Sequence, residues 1–208
     1  MFTFWSILNW LWYVFGNLDI DGRQLRGVKG CNIASNVAQY QLQDRVLDTI
    51  VCDLAHHPWR QDTKFDAIVC DPPYGVRAGA KKIALNPNGS LPERKKNGEI
   101  RYPYTVEYEM DDLITDLITF AAIHLSTNGR LVFWLPTLND KYEPTDIPTH
   151  LDMRLIANSE QVFGKWSRRL ITMQKIADSN SKSNATQKDS TGHTNFRLRY
   201  FESNKSSN

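Results

Sequence analysis

With 208 residues the chain is long enough for one domain with a full hydrophobic core. A formal net charge of +2 is too mild to mark a nucleic-acid binder by itself, though it leaves room for a local basic patch. Cys31, Cys52 and Cys70 show no Cys-x-x-Cys spacing, which argues against a disulfide framework or a zinc site and for a reduced, intracellular protein.

The stretch from Met1 to Phe15 is uncharged and carries Trp5, Trp10 and Trp12. It lacks the basic start and small-residue cleavage site of a signal peptide, and it falls short of the ~20 apolar residues a spanning helix needs. The expectation is a helix or strand packed on a sheet, with no membrane insertion; a lost start of a larger protein is the other reading. From Val14 an apolar run leads to Asp19 and Asp21. A strand closed by a carboxylate and followed by a helix is how nucleotide-binding α/β folds hold ribose hydroxyls. Asp19 fits that role with Asp21 second, and turn or helix-capping duty is the competing reading. Asn32 to Gln43 reads as a helix. From Val46 to Pro58 a second apolar run through Leu47, Ile50, Val51 and Cys52 ends at Asp53, before a loop with His56 and His57. Adjacent histidines point in different directions and have no partners at metal-ligand spacing, so both are expected as solvated loop residues, with no metal site.

Phe65 to Arg77 organises the rest. Ala67, Ile68, Val69 and Cys70 form a short apolar run closed by Asp71, Pro72, Pro73, Tyr74 and Gly75, which reads as a buried strand ending in a loop. Ligands in open parallel sheets bind beyond the carboxyl ends of the strands, so Asp71, Pro72, Pro73 and Tyr74 are expected at the mouth of a site. Asp71 offers an acceptor, the prolines fix the backbone so that carbonyls face outward, and Tyr74 supplies a flat face. Two acceptors beside an aromatic plane suit the exocyclic amine of a nucleobase, holding both hydrogens while the nitrogen lone pair meets an electrophile such as a sulfonium methyl.

Gly79 to Tyr104 is polar and turn-rich, with Lys81, Lys82 and further basic residues among prolines and glycines. It is either a grip on a phosphate backbone or a solvated insertion. Met110 to Leu125 has Leu113, Leu117, Ile118, Ala121 and Leu125 at helical spacing and is stopped near Asn128 and Gly129. Arg130 to Leu135 is then a strand ended by Pro136, and Leu151 to Ser159 with Arg168 to Ile176 suits an antiparallel hairpin at a sheet edge. Asp178 to Ser190 is too polar to bury a core and is expected to be disordered, ahead of a short aromatic and basic patch from His193 to Phe201. The divisions are an atypical hydrophobic start over 1–15, a partial catalytic domain over 16–177 and a polar tail over 178–208.

Asp71-Pro72-Pro73-Tyr74 looks like the signature of S-adenosylmethionine-dependent amino-methyltransferases acting on nucleic-acid bases. Together with Leu18-Asp19-Ile20-Asp21-Gly22-Arg23, Gln39-Tyr40, Pro58-Trp59-Arg60, Asp66-Ala67-Ile68, Arg77 and the Phe196 to Phe201 patch, it resembles the catalytic half of the eukaryotic tRNA guanine-10 amino-methyltransferase catalytic subunits. The resemblance implies an α/β, Rossmann-like class I methyltransferase sheet, mostly parallel with an antiparallel edge hairpin. It implies S-adenosylmethionine as cofactor, with Asp19 on the ribose and Asp53 on the adenine amine, and Asp71, Pro72, Pro73 and Tyr74 as the catalytic turn. It implies tRNA as substrate, with Arg77, Lys81 and Lys82 toward the RNA, a small zinc-binding activator subunit as partner, and a cytoplasmic location. The family's first motif, a glycine-rich Asp-Pro-x-x-Gly-x-Gly turn that carries the methionine end of the cofactor, belongs before Val14, where no glycine occurs. Close backbone approach to a cofactor needs such residues, so weak cofactor binding by this chain is expected. A non-catalytic RNA- or partner-binding role and methylation of a DNA adenine or cytosine amine are the alternatives.

Overall fold

The computed structural model describes residues 3–5, 12–14, 33–47, 52–73, 80–84, 104–140 and 142–178. Its centre is a strand–helix–strand unit. β3, Phe65–Asp71, is followed by α2, Met110–His124, and then by β6, Leu125–Leu138, which runs parallel to β3 with Ile68 opposite Leu131 and Cys70 opposite Phe133. Parallel neighbours need a crossover, and here a helix supplies it, the repeating unit of Rossmann-like sheets. The sheet has the order β2-β1-β3-β6-β8-β7, with β1 at Thr3–Trp5, β2 at Trp12–Val14, β7 at Met153–Phe163 and β8 at Trp166–Lys175. Among the described pairings the central one is parallel and the flanking four are antiparallel. The runs expected as strands ahead of Asp19 and Asp53 lie largely outside the described residues; Val14, Val46, Leu47, Cys52 and Asp53 are described, and Val46 and Leu47 are not in a strand, Leu47 being exposed.

The apolar spacing of α2 explains its place. Leu113, Leu117 and Ala121 recur every four residues beside Ile114 and Ile118, and all five are fully buried against one face of the sheet. That face is lined by Ile68, Leu131, Phe133, Leu135 and Ile171, each at 0% exposure. Asp111 and Asp112 sit in the first turn, where acids favour the helix dipole. At the other end Lys64 Nζ donates to the Ile123 carbonyl at 2.7 Å and the buried Lys175 Nζ to the Leu125 carbonyl at 2.8 Å, so cations serve the carbonyls that the helix leaves open. Lys175 is also held by Asp178.

Several expectations shift. The start of the chain is not among them, since of the helix or strand expected there it supplies strands: β1 lies antiparallel to β3, with Thr3 opposite Asp71. The helix expected over 32–43 is the shorter α1, Ile33–Gln39. α2 ends at His124, four residues before the expected stop, because the chain turns directly into β6 at Leu125. Pro136 does not end β6, which pairs with β8 as far as Leu138. Past Asp71 the β3 side of β6 needs no donor, and a proline is tolerated there. The edge hairpin is present, shifted to start at Met153, with β7 and β8 antiparallel from Met153 opposite Lys175 to Phe163 opposite Trp166. The tail from 179 onward is outside the described residues.

Candidate active site

β3 delivers Asp71 to its carboxyl end, where the side chain is exposed, while Pro72 is buried and Pro73 half-buried. The alternation along β3 fixes this: Ile68 and Cys70 point into the core beneath α2, so Asp71 points to the other face. Tyr74, Arg77 and Asp19 are outside the described residues.

Asp53 stands in the loop after Cys52 with a side chain only 6% exposed. Its Oδ1 accepts the Ala55 N–H at 3.1 Å, and its Oδ2 accepts the Ile83 N–H at 2.8 Å and lies 2.9 Å from His56 Nδ1. Asp53 therefore ties its own loop to β4, Lys81–Ile83, in the segment that follows the Asp71 turn. β4 pairs antiparallel with β5, Thr105–Glu107, so the ends of the long basic stretch close into a two-stranded ribbon around residues 85–103, which are outside the described set. Lys82 sits 4.7 Å over the Tyr108 ring and 3.3 Å from Asp112 Oδ2, whereas Lys81 is exposed. Tyr108 is buried, its hydroxyl donates to Asp116 on α2, and its N–H donates to the Ala80 carbonyl at 3.0 Å. Burial foremost, and then the Asp116 bond and charge, holds the Tyr108 phenol well above its ordinary range. The structure thus joins Asp53, Lys82 and the start of α2 around the ribbon. Tyr108, Asp112 and Asp116 escaped the sequence reading, since only the β4–β5 pairing brings them to Lys82.

The two described thiols, Cys52 and Cys70, are held in the neutral form near neutral pH. Burial, with the Asp53 charge adding, pushes Cys52 up to about 12, and full burial with the Asp71 charge adding drives Cys70 well above the usual thiol value. His57 departs from the solvated role expected of it. It is half-buried, with its ring edge-on to Phe120 at 4.8 Å and to His124 at 5.0 Å, in a cluster at the far end of α2 from Lys82. His56 does sit in solvent, 62% exposed. Among the described residues no group of three or more His, Cys, Asp and Glu could hold a metal ion, and no helix is long and apolar enough to cross a membrane.

The chemistry that these groups can perform is acceptance. Asp71 at an exposed strand end, beside backbone carbonyls set by two prolines, can offer acceptors to a planar N–H group.

Comparison with known proteins agrees. The family described as RMKL-like, methyltransferase domain, matches residues 14–86, a stretch that contains Asp19, Asp53 and the Asp71 turn. The tRNA (guanine(10)-N(2))-methyltransferase of Schizosaccharomyces pombe is 46% identical over 190 residues, which is 89% of this chain and 40% of that protein. The protein of the same name from Dictyostelium discoideum is 41% identical over 167 residues, covering 78% of this chain and 32% of its own length. Its human counterpart is 34% identical over 211 residues, covering 91% and 45%. The chain thus spans less than half the length of these relatives. What it resembles is the tRNA (guanine(10)-N(2))-methyltransferases, over a stretch that carries a methyltransferase-domain match of its own.

Proposed function

We propose that the chain carries the amine-holding half of a site that methylates the exocyclic amine of a guanine in tRNA. The observation that carries this reading is the Asp71-Pro72-Pro73 turn at the carboxyl end of the central parallel strand, inside the stretch matched to a methyltransferase domain. S-adenosylmethionine, when bound, supplies an electrophilic methyl on a sulfonium. The Asp71 carboxylate and the Pro72 carbonyl accept the two amine hydrogens, and the Tyr74 ring stacks on the base, which aims the nitrogen lone pair. Transfer would form the N–C bond and break the sulfonium's bond to that methyl, whose electron pair stays on sulfur as a neutral thioether, and the proton the nitrogen sheds would pass to Asp71.

Asp53 suits an adenine amine within limits: Oδ2 already meets the Ile83 N–H and His56 Nδ1, while Oδ1 has only the Ala55 N–H among the described residues. Asp19 is the ribose acceptor in this reading. Arg77 and the exposed Lys81 face the RNA; Lys82, already neutralised by Asp112, instead holds the ribbon in place. A small zinc-binding activator subunit as partner and a cytoplasmic location go with the reading through the resemblance. A second reading is a non-catalytic RNA- or partner-binding chain.

Equilibrium binding of S-adenosylmethionine separates the two. The chain as given is expected to bind weakly, and an upstream extension that supplies a first strand and a glycine-rich turn is expected to restore binding. Micromolar binding by the chain as given would show that Met1 to Phe15 replaces the turn. In the extended form, Tyr74→Ala is expected to weaken base stacking by roughly 1–3 kcal/mol and Tyr74→Phe to be mild. A Phe variant as inactive as the Ala variant would put the work on the hydroxyl instead of the ring face.

A further inference from the structure

The face of the sheet opposite α2 carries a feature that the Asp71 turn does not use. Residues paired across strands share a face, so Asp71, one step past the Cys70–Phe133 pair, stands abreast of Trp134 and points the same way. Trp134 pairs with Leu170, Pro136 with Arg168, Arg168 with Gln161 and Trp166 with Phe163, which sets Arg168, Gln161, Trp166 and Phe163 on that same face. From strand spacings of about 4.8 Å and a rise of about 3.4 Å per residue, Arg168 lies roughly 12 Å from Asp71, at the same end of the sheet.

Arg168 is held flat. Its guanidinium carbon lies 4.2 Å from the Trp134 ring centroid and 5.4 Å from that of Phe163, and its Nε donates to Gln161 Oε1 at 2.6 Å. Its terminal amino groups have no acceptor among the described residues. Phe163 in turn stacks on Trp166 with centroids 4.8 Å apart and planes 17° apart, and Phe163 is 41% exposed. A guanidinium locked in position by ring contacts has little side-chain entropy left to lose, and its outward edge is a ready fork for phosphate oxygens. The surrounding charge has the matching sign: from Met153 to Leu170 the cations are Arg154, Lys165, Arg168 and Arg169, and the sole acid is Glu160, which Arg169 engages at 2.9 Å.

We infer that the β7–β8 hairpin is an RNA-docking surface for the strand that flanks the target base, with Arg168 gripping a phosphate and the Phe163–Trp166 pair offering a stacking platform to a neighbouring base. The inference rests on the proposed action on tRNA and adds a contact track beyond the turn that holds the amine. The tRNA of the proposed reaction supplies the phosphates that a guanidinium beside a net positive strand pair fits, so RNA is the occupant that the charge favours.

The test reads binding alone, so it stands apart from methyl transfer. Fluorescence anisotropy with the 208-residue chain and an unmodified tRNA transcript, repeated across salt concentrations, gives the affinity and the slope of log affinity against log salt. Arg168→Ala is expected to weaken binding severalfold and to reduce the steepness of the slope by about 0.7–0.9, the release expected for one phosphate contact. Arg168→Gln keeps a stem against Trp134 and a donor for Gln161, and it gives the same slope change in a folded protein should the Ala variant lose stability. Asp71→Ala, which removes a base contact and no phosphate contact, is expected to leave the slope unchanged. Unaltered affinity and slope in Arg168→Gln would overturn the inference, as would a parent chain with no salt-dependent affinity for tRNA. If Arg168 behaves as expected and Asp71→Ala still supports methyl transfer in the extended form, the proposed catalytic role of Asp71 fails while the docking surface stands.

Discussion

Asp71 was legible because its motif is local: four consecutive residues at the end of an apolar run announce both the strand and the turn. Asp53 was legible as a carboxylate after an apolar run, but not as a structural tie, because its partner Ile83 is thirty residues away and meets it only once β4 is in place. The difference has an energetic consequence. Asp53→Ala removes the acceptor for the Ala55 and Ile83 N–H groups and for His56, and since these donors are half-buried or exposed each lost bond costs about 0.5–1.5 kcal/mol. Urea unfolding of this variant is expected to show a loss in that range, with Asp53→Asn milder because one carbonyl oxygen remains. A loss under about 0.5 kcal/mol in the Ala variant, the size of an ordinary surface substitution, would contradict the tie.

At the scale of elements, α2 was legible because its apolar residues recur at a spacing that only a helix turns to one side, and the edge hairpin because its two runs flank a glycine turn. Gly164 there has φ +68°, a left-handed conformation that favours glycine. The junction of α2 and β6 was not legible. The sequence puts the helix stop at Asn128 and Gly129, yet these residues lie in an irregular stretch where the β3–β6 register shifts. Asn128 has φ 70°, and a Cβ on Gly129 would fall 2.8 Å from the Ser126 carbonyl oxygen and 2.9 Å from that of Asp66. The glycine is there for close approach between β3 and β6 and not to cap a helix. Both neighbours are backbone and cannot swing away, so Gly129→Ala is expected to cost about 1–3 kcal/mol, read as a lower melting temperature. An unchanged melting temperature would show that the two strands do not approach so closely.

For the whole molecule, the end of the sheet away from Asp71 holds a cluster of aromatic and histidine rings, and that end sets the acid limit of stability. His57 and His124 pack with Phe120 and Phe65 around the carboxyl end of α2, and His57 Nδ1 has no hydrogen-bond partner among the described residues. Burial is the foremost cause that lowers both imidazoles below their ordinary value of about 6.5. For His124 the bond to the Thr63 carbonyl opposes this, while His57, Lys64 and Lys175 add to it. With folded values below unfolded ones, the unfolded chain binds more protons in that window, so stability is full above about pH 6.5 and is lost as pH falls below it. Melting temperatures are expected to hold level from about pH 8 to 7 and to decline below about 6.5, before the depressed Asp178 carboxyl titrates at lower pH. A flat profile down to about pH 5 would contradict the buried histidine pair. The site end poses the question of identity, since guanine, adenine and cytosine carry the same exocyclic amine and the acceptors of the Asp71 turn suit all three. The most direct test is to identify the nucleoside that receives labelled methyl from S-adenosylmethionine. It uses the upstream-extended form, the activator subunit and an unmodified tRNA transcript, with digestion and chromatography of the product. The label is expected in N2-methylguanosine and to fall by on the order of a hundredfold or more in Asp71→Ala, by analogy with the removal of one transition-state hydrogen-bond partner. Label on an adenine or cytosine amine, or transfer within a few-fold of the parent in Asp71→Ala, would contradict the account.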